Sequence, residues 1–151
     1  MTKPILLVED DENDVFFLTK ALKKLGIENP LRVASDGQQA LDYVEGREKF
    51  SNRDEFPLPY LILLDLKLPQ VKGLDVLKRV RQLADRSLIV VILSSSKNET
   101  DIAEAYRLGA NAYLSKPANF EGLVEVVRAI NDFWLKHNLT EAVNGQTKGE
   151  G

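Results

Sequence analysis

The chain has 151 residues, of which 44% are hydrophobic and 28% charged, with a formal charge of -3. That length suits one domain with a real core, and the small negative charge gives no electrostatic reason to expect DNA or an anionic membrane as partner. The absence of cysteine excludes a disulfide framework and a thiolate metal site.

The opening, MTKPILLVEDDEND, lacks a signal-peptide pattern because its apolar run is short and acids follow at once. No later run reaches membrane-spanning length, so a cytoplasmic protein is expected. PILLVE reads as the first strand, and Val15, Leu18, Leu22 and Leu25 give the segment from Asp14 to Leu25 helical spacing. LRVAS is a weaker second strand. The segment from Gly46 to Pro59, GREKFSNRDEFPLP, is charged and proline-punctuated and reads as a long surface loop. YLILLD, LIVVIL and AYLS are the remaining strands. Leu74, Leu77, Val80 and Leu83 mark the helix after YLILLD, and Asn98 with Asp101 is placed to cap the fourth helix, which Gly109 ends. Phe120, Leu123, Val124, Val127, Ile130 and Trp134 give the fifth helix a buried stripe. From Thr140 the sequence TEAVNGQTKGEG has too little apolar content to fold alone, so we expect one domain over 1–139 and a flexible tail over 140–151.

Continuous apolar strands alternating with amphipathic helices imply an α/β fold: a doubly wound, five-stranded parallel sheet with five helices, flavodoxin-like, with strand order 2-1-3-4-5. In such a sheet all strand C-termini share one edge, and ligands bind where the strand order reverses. Glu9, Asp10 and Asp11 end the first strand, Asp65 the third and Ser94 the fourth, and Lys116 follows the fifth. Asp65 closes an apolar run, where an unpaired carboxylate is costly. Like-charged carboxylates brought together there call for a shared cation, and oxygen-only ligands without His or Cys suit Mg²⁺ or Mn²⁺, with Mg²⁺ the obvious candidate. Lys116 then supplies a point charge and Ser94 a hydroxyl donor for a phosphoryl group, which leaves Asp65 as the nucleophile that forms an aspartyl phosphate.

The motifs LLVEDDENDV, LLDLKLPQVKGLDVL, VVILSSSKNETD and GANAYLSKP, in this order from about Pro4 to about Leu135, resemble the receiver domain of bacterial two-component response regulators. The resemblance implies Asp10 and Asp11 as the acidic pair that binds Mg²⁺ with Asp65 and the backbone carbonyl of Lys67. It implies Asp65 as phosphoacceptor, Ser94 as the hydroxyl that follows the phosphoryl group, Lys116 as the phosphate-pairing lysine and Tyr113 as the aromatic switch. A cis bond between Lys116 and Pro117 belongs to the same pattern, as does a signalling face built by the fourth helix, fifth strand and fifth helix. The long loop before the third strand and the absence of an output domain resemble the small single-domain regulators of phytochrome-type histidine kinases. The partners implied are a sensor histidine kinase, a downstream protein and a second copy of the chain, with no nucleic acid and no membrane. The protein is then a phosphoacceptor rather than an enzyme. Lys67 and Ser96 stand where fast-resetting members carry a water-orienting amide or acid, so its self-dephosphorylation is expected to be slow.

Each residue alone has a plainer reading. Asp10 or Asp11 can simply cap the first helix, Asp65 and Lys116 can be turn residues, and Ser94 is one of three serines in a row. His137, near a helix end, gets no functional role, and Phe133 and Trp134 read first as core and helix-end packing. What favours the functional reading is the coincidence of all of these groups on one rim. A haloacid dehalogenase type of phosphatase needs a second aspartate where Lys67 stands. A flavin binder needs a phosphate-cradling loop where EDDEND stands, and the complete residue set argues against a phosphorylation-independent pseudo-receiver.

Overall fold

A computed structural model describes residues 3–83 and 87–137. The expected tail over 140–151 and the side chain of His137 lie outside the described residues. Five parallel strands, β1 (Ile5–Val8), β2 (Leu31–Ala34), β3 (Leu61–Leu64), β4 (Ile89–Ser94) and β5 (Ala112–Ser115), form one sheet in the order β2-β1-β3-β4-β5. They alternate with α1 (Glu12–Lys24), α2 (Gly37–Glu45), α3 (Gly73–Leu83), α4 (Glu99–Arg107) and α5 (Phe120–Ile130). A π-helical segment, Asn131–His137, continues α5, and no described helix is long and apolar enough to cross a membrane.

The central strands are apolar at every position but Ser94, the last of β4, because both of their faces are covered. Leu6, Val8, Ile62, Leu64, Val90 and Ile92 pack against α2, α3 and α4, while Ile5, Leu7, Leu61, Leu63, Ile89 and Val91 pack against α1 and α5. The helices start where their caps dictate. Asp11 accepts from the N–H groups of Asn13 and Asp14, Asp36 from Gln39, Asn98 from Thr100 and Asn119 from Gly122. The Asn98 cap agrees with the sequence, and Gly109, at φ +108°, follows the C-cap residue Leu108. Val124, Val127 and Ile130 are the fully buried part of the α5 stripe. Phe120, Leu123 and Trp134 lie half-buried against them, whereas Phe133 is exposed.

The segment from Gly46 to Pro59 is the largely exposed loop its composition suggests, but it is pinned to the body of the protein from beneath. It carries a 3-10 turn at Glu48–Phe50, and Phe50 is buried. Phe50 and Phe56 stack edge-on to one another beside the buried Tyr43 ring of α2, whose hydroxyl donates to the Pro57 carbonyl at 2.9 Å. Arg53 donates to the carbonyls of Tyr43, Val44 and Phe56 at 2.8, 2.6 and 3.0 Å. Gly46, at φ +71°, makes room for it, since a Cβ there would meet the guanidinium Nε at 2.7 Å. The charged residues of this loop are thus threaded through two aromatic anchors.

Candidate functional site

The parallel ladders run one residue past the strand ends, and this extension builds the site. Glu9 N–H donates to the Ala34 carbonyl at 3.0 Å, Asp65 N–H to Val8 at 3.1 Å and Lys116 N–H to Ser94 at 2.8 Å. The side chains of Glu9, Asp65, Ser94 and Lys116 are thereby carried to one rim, across the β1/β3 junction where strand order reverses. Glu9 lies two residues beyond Leu7, so the strand period aims it at the α1/α5 face. It is 4% exposed, Asp65 6% and Ser94 fully buried.

The Lys116 ammonium lies among three carboxylates, donating to Glu9 Oε1 and Asp14 Oδ2 at 2.9 Å each and to Asp65 Oδ2 at 3.2 Å. Burial disfavours this ammonium, but its hydrogen bonds to Asp14 and Glu9 and the charge of Asp65 outweigh burial and hold its pKa above the usual lysine value. Burial pushes the Glu9 carboxyl up to about 7, against the pull of the Lys116 hydrogen bond and of the Asp11 N–H. Asp65 also accepts from the Lys67 N–H at 3.1 Å, which fixes its other oxygen. Gly73 lies so close behind this turn that a Cβ would meet the Asp65 carbonyl oxygen at 2.4 Å, so only glycine fits.

Carboxylate oxygens of Glu9, Asp10 and Asp65 lie within 4.8 Å of one another. Three oxygen donors of like charge, two of them on buried residues, fit a hard divalent cation. The partners of Asp10 and Asp65 therefore differ from the expected set. Asp11, expected as a metal ligand, is the N-cap of α1: its carboxylate turns back onto the first-turn N–H groups at 2.8 and 3.3 Å. Glu9 is the acid whose carboxylate lies beside those of Asp10 and Asp65. The cis bond expected between Lys116 and Pro117 is likewise corrected, because every peptide bond among the described residues is trans. The long lysine stem brings the ammonium to its three acceptors with that geometry.

At the end of β4, Ser94 Oγ accepts from the Ser96 N–H at 3.1 Å. Ser96 Oγ donates to Asp101 Oδ2 at 2.7 Å, and the Tyr113 hydroxyl donates to the Ser96 carbonyl at 2.8 Å. The expected hydroxyl and the expected aromatic switch are therefore joined through one residue, Ser96. The Lys67 side chain is exposed at the mouth of the site. Sequence reasoning missed Glu9 as a partner of Lys116 and missed Asp14 altogether. The available signal was the acid run EDDEND, in which strand and helix periods meet.

Residues 5–128 match the response regulator receiver domain family. The chain is 38% identical over 135 residues to response regulator Rcp1 of Synechocystis sp., covering 89% of this chain and 90% of Rcp1. Among solved structures it is similar to the phosphorylated cyanobacterial phytochrome response regulator RcpA, with a TM-score of 0.84 and 34% identity, covering 94% of this chain and 100% of that one. It is also similar to the Mn²⁺-bound form of Rcp1, with a TM-score of 0.82 and 36% identity, covering 93% and 99%.

Proposed function

The chain belongs to the response regulator receiver domain family, and from that premise we propose that it takes a phosphoryl group onto Asp65 from a histidine kinase in the presence of Mg²⁺. The observation that carries the reading is the Lys116 ammonium held at 3.2 Å from Asp65, inside a rim where three carboxylates fit one divalent cation. A carboxylate oxygen of Asp65 attacks phosphorus, the new O–P bond forms as the N–P bond of the phosphohistidine breaks, and the electron pair returns to the imidazole nitrogen. Glu9, Asp10 and Asp65, with the Lys67 carbonyl, would hold Mg²⁺, which when bound neutralises phosphoryl charge. Lys116 pairs with one phosphoryl oxygen and the Ser94 hydroxyl donates to another.

Once Ser94 Oγ turns to the phosphoryl group it no longer accepts from Ser96. The Ser96 segment and the Tyr113 ring anchored to its carbonyl are then free to rearrange, so the new charge biases a two-state element on the α4, β5 and α5 face. The similarity to RcpA and Rcp1 supports a kinase of phytochrome type. We read the protein as cytoplasmic, acting on a downstream protein and pairing with a second copy near the exposed Phe133. Lys67 offers an ammonium, which cannot accept a hydrogen bond from an attacking water, so the phosphate is held long.

Acetyl phosphate with Mg²⁺ is expected to give a single phosphate adduct by mass spectrometry that vanishes in Asp65→Asn and with EDTA. Its decay after donor removal is expected to be slow, and faster in Lys67→Asn. An adduct that survives both the substitution and the chelator would remove the reading.

A further inference from the structure

An ammonium has three N–H donors, and in this chain three carboxylates take them: Glu9, Asp14 and Asp65. A further acceptor, such as a phosphoryl oxygen, enters only if one of the three leaves. Their costs of leaving differ. The side chains of Glu9 and Asp65 are 4% and 8% exposed and belong to the cluster that fits the cation, so a loaded site takes up their charge in place, whereas Asp14 lies outside that cluster. Asp14 is 40% exposed. It stands in the first turn of α1, where the helix N-terminus favours a carboxylate. It also lines a cavity of about 290 Å³ that opens between α1 and the segment after β5, with Glu9, Lys116, Phe17 and Phe120 among its walls. Water can therefore take over its oxygens at small cost.

We propose that Asp14 is a positioning residue for phosphoryl capture: it competes for the Lys116 ammonium in the resting protein and releases it to the phosphoryl group on Asp65. The inference rests on the reading of Asp65 as phosphoacceptor and deepens it. Because the Asp14 pair exists only in the resting arrangement, removing its charge destabilises that arrangement alone. Capture of a phosphoryl group then becomes easier, not harder, when an acid of the site is neutralised.

The test is titration of the full chain with beryllofluoride, a stable stand-in for the phosphoryl group, at saturating Mg²⁺, read by ¹⁹F NMR. Asp14→Asn is expected to half-saturate at roughly 1.5- to fivefold lower beryllofluoride, the range for losing one partly exposed ion pair. Asp14→Glu is expected to return to the wild-type value. Glu12→Gln, which neutralises another acid of the same turn, is expected to leave it unchanged. Equal or weaker binding in Asp14→Asn overturns the inference while wild-type saturation still supports Asp65. Equal tightening in Glu12→Gln also overturns it, since the general field and not the Lys116 contact would then be responsible. A wild-type chain that takes no beryllofluoride removes the Asp65 reading, and this inference with it.

Discussion

Two half-buried cations lie at opposite ends of this molecule's chemistry, Arg53 under the Gly46–Pro59 segment and Lys116 on the strand-end rim. Arg53 gives its protons to three backbone carbonyls, and Lys116 gives its protons to three carboxylates. Carbonyls are neutral dipoles that do not titrate and carry no charge for a cation to neutralise, so the Arg53 arrangement has one state. Carboxylates titrate, bind divalent ions and accept phosphoryl chemistry, so each Lys116 partner has somewhere else to go. Burial of a cation is thus common to a fixed fastening and to an exchangeable site. The chemistry of the acceptors separates them.

The largest effect expected from breaking this contrast is at the fastening. Arg53→Met leaves the Tyr43, Val44 and Phe56 carbonyls short of a charged donor and should cost roughly 2–3 kcal/mol, measured by urea unfolding. The loss should be the same with EDTA and with Mg²⁺. A loss within about 0.5 kcal/mol, the range for plain surface substitutions, would show that Arg53 does not fasten this segment.

A smaller effect, of opposite character, is expected at the rim. Lys116→Met leaves Glu9, Asp14 and Asp65 without their counter-ion, so the cation that Glu9 and Asp65 fit with Asp10 should bind the folded state more strongly. The gain in stability on adding Mg²⁺ should exceed the wild-type gain by about 1–2 kcal/mol. Equal gains in the two proteins would show that Lys116 and the metal do not share acceptors.

The smallest effect comes from protons. With the Glu9 carboxyl up at about 7 in the folded protein, the folded chain holds a proton that the unfolded chain has already lost between about pH 5.5 and about pH 6.5. Stability must therefore fall as pH rises through that interval, by about 1 kcal/mol per pH unit in EDTA. The raised pKa of Lys116 adds no slope there, because its ammonium is protonated in both states. Chemical denaturation across the interval should show the fall in wild type and lose it in Glu9→Gln. An unchanged slope in that variant would assign it to other groups.

Most of the fold was legible in the chain. Runs such as LILL and IVVIL are apolar at consecutive positions, which only a strand covered on both faces requires, and the helical stripes between them point to a parallel sheet. From the sheet followed the rim, with Asp65, Ser94 and Lys116 on it. Phe50 and Phe56 were not legible as anchors, because the five residues between them are all polar and no apolar neighbour marks a strand or helix period.

By itself, then, the sequence determined the strand and helix periods, and with them which strand ends carry an acid, a hydroxyl and a lysine, because those patterns are written in neighbouring residues. Only the tertiary structure decided which acids of EDDEND meet Lys116. One ladder bond past β1 turns Glu9 to the α1/α5 face, capping turns Asp11 away, and the first turn of α1 returns Asp14 to the rim. A change of one residue along a chain that passes from strand to helix rotates a side chain to another face. No local pattern records that rotation, because it is set by the hydrogen bonds that β1 and α1 make with the rest of the fold.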